Sequence, residues 1–235
     1  MDKLYIIIPA YNEESNIEEV ARQWHEVVKN INDESRLVII DDGSKDSTLK
    51  VLEGLKEELC QMEVVTKTNS GHGATVLYGY NYALEKGADY IFQTDSDGQT
   101  LPEEFYPFWE EREDYAAIIG HRNHRKDGFS RVIVTKTLKF VLWCIFGLKI
   151  TDANTPFRLI NRETLKRYIT KIPKDFNLSN VMLTVCLVKY KENIKFVPIT
   201  FRPRQGGVNS INFKKIIGIG KQAVKDFRYI KKSLK

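Results

Sequence analysis

Asp95-Ser-Asp-Gly-Gln99 sets two carboxylates and an amide at alternate positions, directly after the apolar run Tyr90–Thr94. In an extended segment alternate side chains point the same way, so Asp95, Asp97 and Gln99 could present oxygens to one ion. Hard oxygen ligands suit Mg2+ or Mn2+, whose coordination substrate phosphates and water complete. A cation there can neutralise a departing diphosphate. Taken alone, an Asp-x-Asp is more simply an acidic turn capping a helix from Pro102. Two other polar stretches change the weighing: Pro9-Ala-Tyr-Asn-Glu-Glu14 and Asp41-Asp-Gly-Ser-Lys-Asp-Ser-Thr48 each follow an apolar run as well. Asp-Gly-Ser is good turn chemistry, with Ser44 or Asp46 placed to cap the next helix. A carboxylate there can also accept a hydrogen bond from the N–H of a uracil or guanine base. Carboxylates gathered on one edge repel unless something cationic joins them.

The elements that must position these residues alternate. Strands are expected at Leu4–Pro9, Leu37–Asp41, Met62–Thr66, Tyr90–Thr94 and Tyr115–Gly120. Helical patterns lie between them at Ser15–Val28 (opened by Ser15 as a cap, with Glu18 three residues on), Asp46–Leu59 and Gly73–Lys86. The second half adds an apolar helix around Thr135–Phe146, a short strand near Phe157–Ile160, a helix near Ser179–Tyr190 and a strand Lys195–Phe201. Such alternation predicts an α/β fold, a mainly parallel sheet flanked by helices on both faces. Ligands then bind beyond the carboxyl ends of the strands, where all three polar stretches fall.

Several classes are excluded. Gly71 and Gly73 are followed by Val76 where a dinucleotide fingerprint needs a third glycine, and no P-loop or Gly-x-Ser-x-Gly occurs. Counting from Asp95, the twelfth position is Tyr106, which rules out an EF-hand loop. Cys60, Cys144 and Cys186 are odd in number and widely spaced, so a disulfide framework and a zinc site are both unexpected and a reducing cytoplasm is the simplest home. The four histidines have no metal spacing, and His25 is expected on a helix surface. The longest apolar run, Leu138–Leu148, contains Lys139 and is about half the ~20 residues a spanning helix needs. Charge concentrates at residues 212–235, which hold eight Lys or Arg against Asp226 in a chain of net charge +5. A basic tail on a near-neutral body points to an anionic surface near the tail and away from nucleic acid.

Taken together, Ile8-Pro-Ala-Tyr-Asn-Glu-Glu14, Ile40-Asp-Asp-Gly-Ser-Lys-Asp-Ser-Thr48, Asn69-Ser-Gly-His-Gly-Ala74, Asp89-Tyr-Ile-Phe-Gln-Thr-Asp-Ser-Asp-Gly-Gln99, Gly120-His-Arg122 and Arg204-Gln-Gly-Gly207 follow one order over roughly residues 3–210. That set resembles family 2 glycosyltransferases of the GT-A fold, in particular the dolichol-phosphate mannosyltransferase and polyprenyl-phosphate glycosyltransferase branch. The resemblance implies a donor nucleotide pocket of Pro9, Tyr11, Glu13, Ile40, Asp42, Asp95 and Ser96. It implies a Mg2+ or Mn2+ on Asp95, Asp97 and Gln99, and acceptor phosphate contacts from Arg122, Arg131, Thr135, Arg202 and Arg204. Arginine suits that task because its planar fork matches phosphate oxygens. The family's Arg-x-x-Gly-x-Ser-Lys loop becomes Arg204-Gln-Gly-Gly-Val-Asn-Ser210, one cation short, with Arg202 nearby. Its Asp…Gly-Phe-Arg becomes Asp152-Ala-Asn-Thr-Pro-Phe-Arg158, with Pro156 for glycine.

The expected reaction is metal-dependent, inverting transfer of a sugar from a UDP- or GDP-sugar to a polyprenyl or dolichyl phosphate. Asp97 and Arg204 would serve the catalytic step, and Asp152 is the candidate base should the acceptor be a hydroxyl of a cell-surface glycan or polymer. A non-catalytic nucleotide-binding protein of the same fold is the alternative of another class. A GT-A domain over residues 1–211 and a basic helix over 212–235 are expected. That helix carries Phe213, Ile216, Ile217, Val224 and Phe227 beside its lysines, a stripe for packing on the domain or lying on lipid. The expected setting is the inner face of the cell membrane, peripherally, in reach of a membrane-embedded partner protein.

Overall fold

The structure is a computed structural model that describes residues 1–122, 128–203 and 213–233. The first strand, β1 (Leu4–Ala10), is buried along its whole length because its alternate side chains serve two cores. Leu4, Ile6 and Ile8 join helix α1 (Ile17–Ile31) on one face; Tyr5 and Ile7 join helix α3 (His72–Glu85) on the other. The α1 core is rich in rings: Trp24, Phe105 and Phe157 surround Phe92, with centroids 5.3, 4.9 and 4.7 Å away. On the opposite face α3 lies so close that a Cβ on Gly79 would sit 2.3 Å from Ile7 Cγ2.

Strands β2 (Arg36–Asp41), β3 (Met62–Thr66) and β4 (Tyr90–Gln93) run parallel with β1. Helix α2 (Thr48–Leu55) connects β2 to β3. A 3-10 turn (Pro102–Phe105) and helix α4 (Tyr106–Glu110) lead to β5 (Ala117–Arg122), and helix α5 (Gly128–Phe146) leads to β6 (Arg158–Asn161). After α6 (Arg162–Ile169) and α7 (Ser179–Lys189) come β7 (Ile194–Ile199) and α8 (Phe213–Ser233). The seven-stranded sheet has the order β3-β2-β1-β4-β6-β5-β7. Only β6 is antiparallel to its neighbours β4 and β5, so the other six strands all end on one edge. β6 starts on that edge, which brings residues 152–158 up to the ends of β4 and β5.

Three local expectations need correction. Ser15 caps nothing in α1: the chain turns at Glu13, whose carbonyl accepts from both Asn16 and Ile17 N–H at 2.9 Å, and the helix starts two residues later. His25 is buried against Gln61, whose N–H points at its Nε2 at 3.4 Å; burial lowers its pKa and favours the neutral ring. α6 was not anticipated, although Asn161 caps it by accepting from Thr164 N–H at 2.9 Å. The final helix buries Ala223, Phe227 and Ile230, and the Phe227 ring lies about 6 Å from those of Phe146 and Phe176. Phe227 therefore serves the core, and Val224 is half-buried. Cys60, Cys144 and Cys186 are unpaired thiols. Among the described residues no helix is long and apolar enough to cross a membrane.

Candidate active site

The loops leaving β1 and β2 are cross-linked before any ligand is considered. Asn12, in the left-handed region at φ 55°, donates its N–H to Ser44 Oγ and accepts from Lys45 N–H through Oδ1, at 3.0 and 2.8 Å. Glu13 N–H donates to Thr48 Oγ1 at 2.8 Å, and Asp46 Oδ1 accepts from Thr48 N–H at 3.0 Å; the N-cap of α2 is Ser47, without a side-chain capping bond, and neither Ser44 nor Asp46 as expected. Pro9, Ile40 and Glu13 are buried under this knot, whereas Tyr11 stands exposed beside it.

Asp42 is the anchor of the next loop. It is 3% exposed, and Lys67 Nζ, Ser70 N–H and Gly71 N–H all donate to its carboxylate, the last two at 2.9 Å. Burial pushes its pKa up, but Lys67 and the donors from Ser70 and Thr75 outweigh that and hold it below the ordinary carboxylate value. Two oxygens offer about four lone pairs, so a base N–H would share an acceptor already in use. Lys67, not among the expected residues, is the cation that makes a buried carboxylate tolerable here; its only sequence signal is its place one residue past β3.

The Asp95–Gln99 segment is not the extended run expected. It bends at 96–98, with Gly98 at φ 68°, so the alternation argument does not apply. The bend instead draws Asp97 back: its Oδ1 accepts from Gln99 N–H at 3.1 Å. Gln99 is buried and clasps residue 202, its carbonyl accepting from Arg202 N–H at 2.8 Å and its Nε2 donating to Arg202 carbonyl at 2.7 Å. With the amide nitrogen so committed, Oε1 is the end left to act as an acceptor. Asp95 receives Gln93 Nε2 at 3.2 Å and has His72 Nε2 at 3.7 Å. Among the described residues no three His, Cys, Asp or Glu side chains converge as a metal-holding group. Two carboxylates and one amide are nevertheless the sparse hard-oxygen set that Mg2+ or Mn2+ completes with substrate phosphates and water, so the residues present fit such an ion.

Across the antiparallel strand stands an ion pair. Arg122, at the end of β5, donates from Nε and Nη2 to the two oxygens of Asp152, each at 2.9 Å, and both side chains are 10% exposed. The Arg122 guanidinium also lies over the Phe201 ring, 5.3 Å from its centre. The two matched hydrogen bonds commit both Asp152 oxygens to the arginine. Arg202 is half exposed, 4.0 Å from Glu103. Thr135 lies on α5, half-buried; Arg131 shares that helix, with its side chain outside the described residues, as are Arg204 and the rest of 204–212.

Six co-directional strands with an acidic bend after β4 and an arginine-carboxylate pair at the end of β5 are the arrangement of a GT-A fold. Residues 5–169 match the family described as "Glycosyl transferase family 2", and the chain belongs to it. A "UDP-N-acetylglucosamine--dolichyl-phosphate N-acetylglucosaminyltransferase" of Methanococcus voltae is 30% identical over 222 residues, 84% of this chain and 85% of the relative. A "Polyprenol monophosphomannose synthase" of Mycolicibacterium smegmatis is 26% identical over 220 residues, 88% of this chain and 80% of the relative. Among solved structures, glucosyl-3-phosphoglycerate synthase from Mycobacterium tuberculosis with Mn2+, UDP and glucosyl-3-phosphoglycerate superposes at TM-score 0.68. Its identity is 16%, over 97% of this chain and 80% of that one.

Proposed function

We propose that this glycosyltransferase moves a sugar from a UDP- or GDP-sugar to a polyprenyl phosphate, with inversion, at a membrane surface. The observation that carries this reading is the meeting of an acidic donor side (Asp42, Asp95, Asp97) and an arginine side (Arg122, with Asp152) on one sheet edge. The relatives named for dolichyl-phosphate and polyprenol substrates support the acceptor class.

In this reading the base sits over Pro9, Tyr11, Glu13, Ile40 and Asp42, and Ser96 lies beside the ribose and diphosphate. Asp95, Asp97 and Gln99 Oε1 would hold Mg2+ or Mn2+, and that ion supplies charge neutralisation of the leaving diphosphate. Arg202 and Arg204 reinforce that neutralisation from the other side. A lipid phosphate is already anionic at neutral pH and needs no strong base, which suits a site whose carboxylate Asp152 is paired. Asp152 instead aims the Arg122 fork, and Arg122 with Arg131 and Thr135 orients the attacking phosphate oxygen.

The way to lipid runs along α5 and α8, which touch each other and bury their inner sides in one core cluster. The outer side of α5 bears Phe140, 63% exposed, and Trp143, 51% exposed, with Lys136 and Lys139. That of α8 bears Tyr229, 74% exposed, among Lys225, Arg228 and Lys232. Aromatic rings amid cations fit the headgroup level of an anionic bilayer. The test of the reading is incubation with radiolabelled UDP- and GDP-sugars, Mn2+ and undecaprenyl phosphate. Label in a butanol-soluble product is expected; label that stays in water with every donor contradicts it.

A further inference from the structure

Beneath the site lies a cation whose hydrogen bonds, among the described residues, all go to neutral acceptors. Arg158 is fully buried, and its guanidinium makes five hydrogen-bond contacts, matching its five N–H donors. The acceptors are the carbonyls of Ala153, Thr155 and Asn180 and the Thr184 hydroxyl; among the described residues none is an anion. A buried charge is costly to desolvate, and an apolar side chain would fill the same space without that cost. The arginine's position explains its presence. Arg158 opens β6 and pairs in register with Gln93 of β4 on one side and Ile119 of β5 on the other. It therefore stands between the strand that leads to Asp95 and the strand that ends at Arg122.

From Arg158 a connection runs each way. Toward the acceptor side it grips the carbonyls of residues 153 and 155, the turn directly following Asp152. Toward the donor side it holds the Asn180 carbonyl in the first turn of α7; Asn180 Nδ2 donates to Gln93 Oε1 at 3.0 Å, and Gln93 Nε2 donates to Asp95 Oδ1 at 3.2 Å. The direction of that relay is forced. An ionised carboxylate only accepts, so Gln93 must present its NH2 to Asp95 and its oxygen to Asn180. Asn180 must then present its NH2 as well, which leaves Asn180 Oδ1 buried without a partner. The amide of Asn180 is thus oriented for Gln93 at the expense of its own oxygen.

We propose that Arg158 is a positioning residue that, through Asn180 and Gln93 on one side and the 153–155 carbonyls on the other, holds Asp95 and the Arg122–Asp152 pair at a fixed separation. This rests on the donor reading above. The test measures UDP and GDP affinity with Mn2+, the KM for lipid phosphate and the thermal midpoint in wild type, Gln93→Met and Arg158→Lys. Gln93→Met, which cuts the relay without touching the buried charge, is expected to weaken Mn2+-dependent nucleotide binding about tenfold, the size of one hydrogen bond to a charged group, and to leave the acceptor KM in place. Arg158→Lys keeps the charge but has three donors on one atom, and is expected to raise both donor and acceptor KM. A Gln93→Met protein that melts lower yet binds nucleotide like wild type overturns the proposal, whether or not Arg158→Lys folds. A wild type that binds neither nucleotide overturns the donor reading, and the proposal with it.

Discussion

The two halves of the site hold charge in opposite ways. On the arginine side Arg122 and Asp152 neutralise each other through two matched hydrogen bonds. On the acidic side Asp42 is paired with Lys67, and Asp95 meets an amide and a histidine. The arginine side is balanced as it stands, and there a phosphate would join a fork already oriented by its counter-ion. In the proposed reading the acidic half would receive metal and diphosphate and the arginine half an anion, and each can be perturbed without the other.

The largest effect is expected from Asp97→Asn, which keeps an acceptor for Gln99 N–H but removes a charge. Transfer should fall on the order of 10²–10³-fold, with the thermal midpoint nearly unchanged. Kinetics paired with calorimetric melting checks this; a variant that transfers normally removes the metal role. On the other side, Asp152→Asn leaves Arg122 charged but unaimed. A loss in kcat/KM for lipid phosphate of about 10²-fold is expected, with nucleotide affinity unaltered. Equal losses on donor and acceptor would erase the distinction between the halves.

Smaller effects sharpen the same comparison. Gly79→Ala drives a methyl into Ile7 under the acidic half and should cost about 1–3 kcal/mol in denaturant titration. The Asp42 carboxyl titrates below its unfolded value in the folded state, so its contribution is complete above the ordinary carboxylate pKa and is lost as pH falls through the folded one. Asp42→Asn should therefore be less stable than wild type at neutral pH, and the gap should close in acid. The replacement of Phe140 and Trp143 by serine should weaken sedimentation with phosphatidylglycerol vesicles several-fold and spare transfer to a short, water-soluble lipid phosphate.

Much of the acidic half was legible because strand ends in a parallel sheet are read directly from apolar runs followed by polar residues. β1, β2, β3 and β4 fall within two residues of where those runs end. The arginine half was less so. Arg122 and Asp152 are 30 residues apart, and only the insertion of an antiparallel strand between β4 and β5 makes them neighbours. That insertion also hides Arg158, which in sequence reads as the last residue of Pro156-Phe-Arg158. Gln93 and Asn180 carry no pattern at all: one lies inside an apolar strand, the other at a helix start. His25 was misjudged because a polar residue on an amphipathic helix is ordinarily outside, and Gln61 N–H, which it faces, lies 36 residues away.

The most direct measurement is titration calorimetry of UDP and GDP with and without Mn2+, on wild type and Asp97→Asn. Binding of one nucleotide that requires the metal and is lost in the variant is expected. Binding of equal strength without metal, or undiminished in Asp97→Asn, would contradict it.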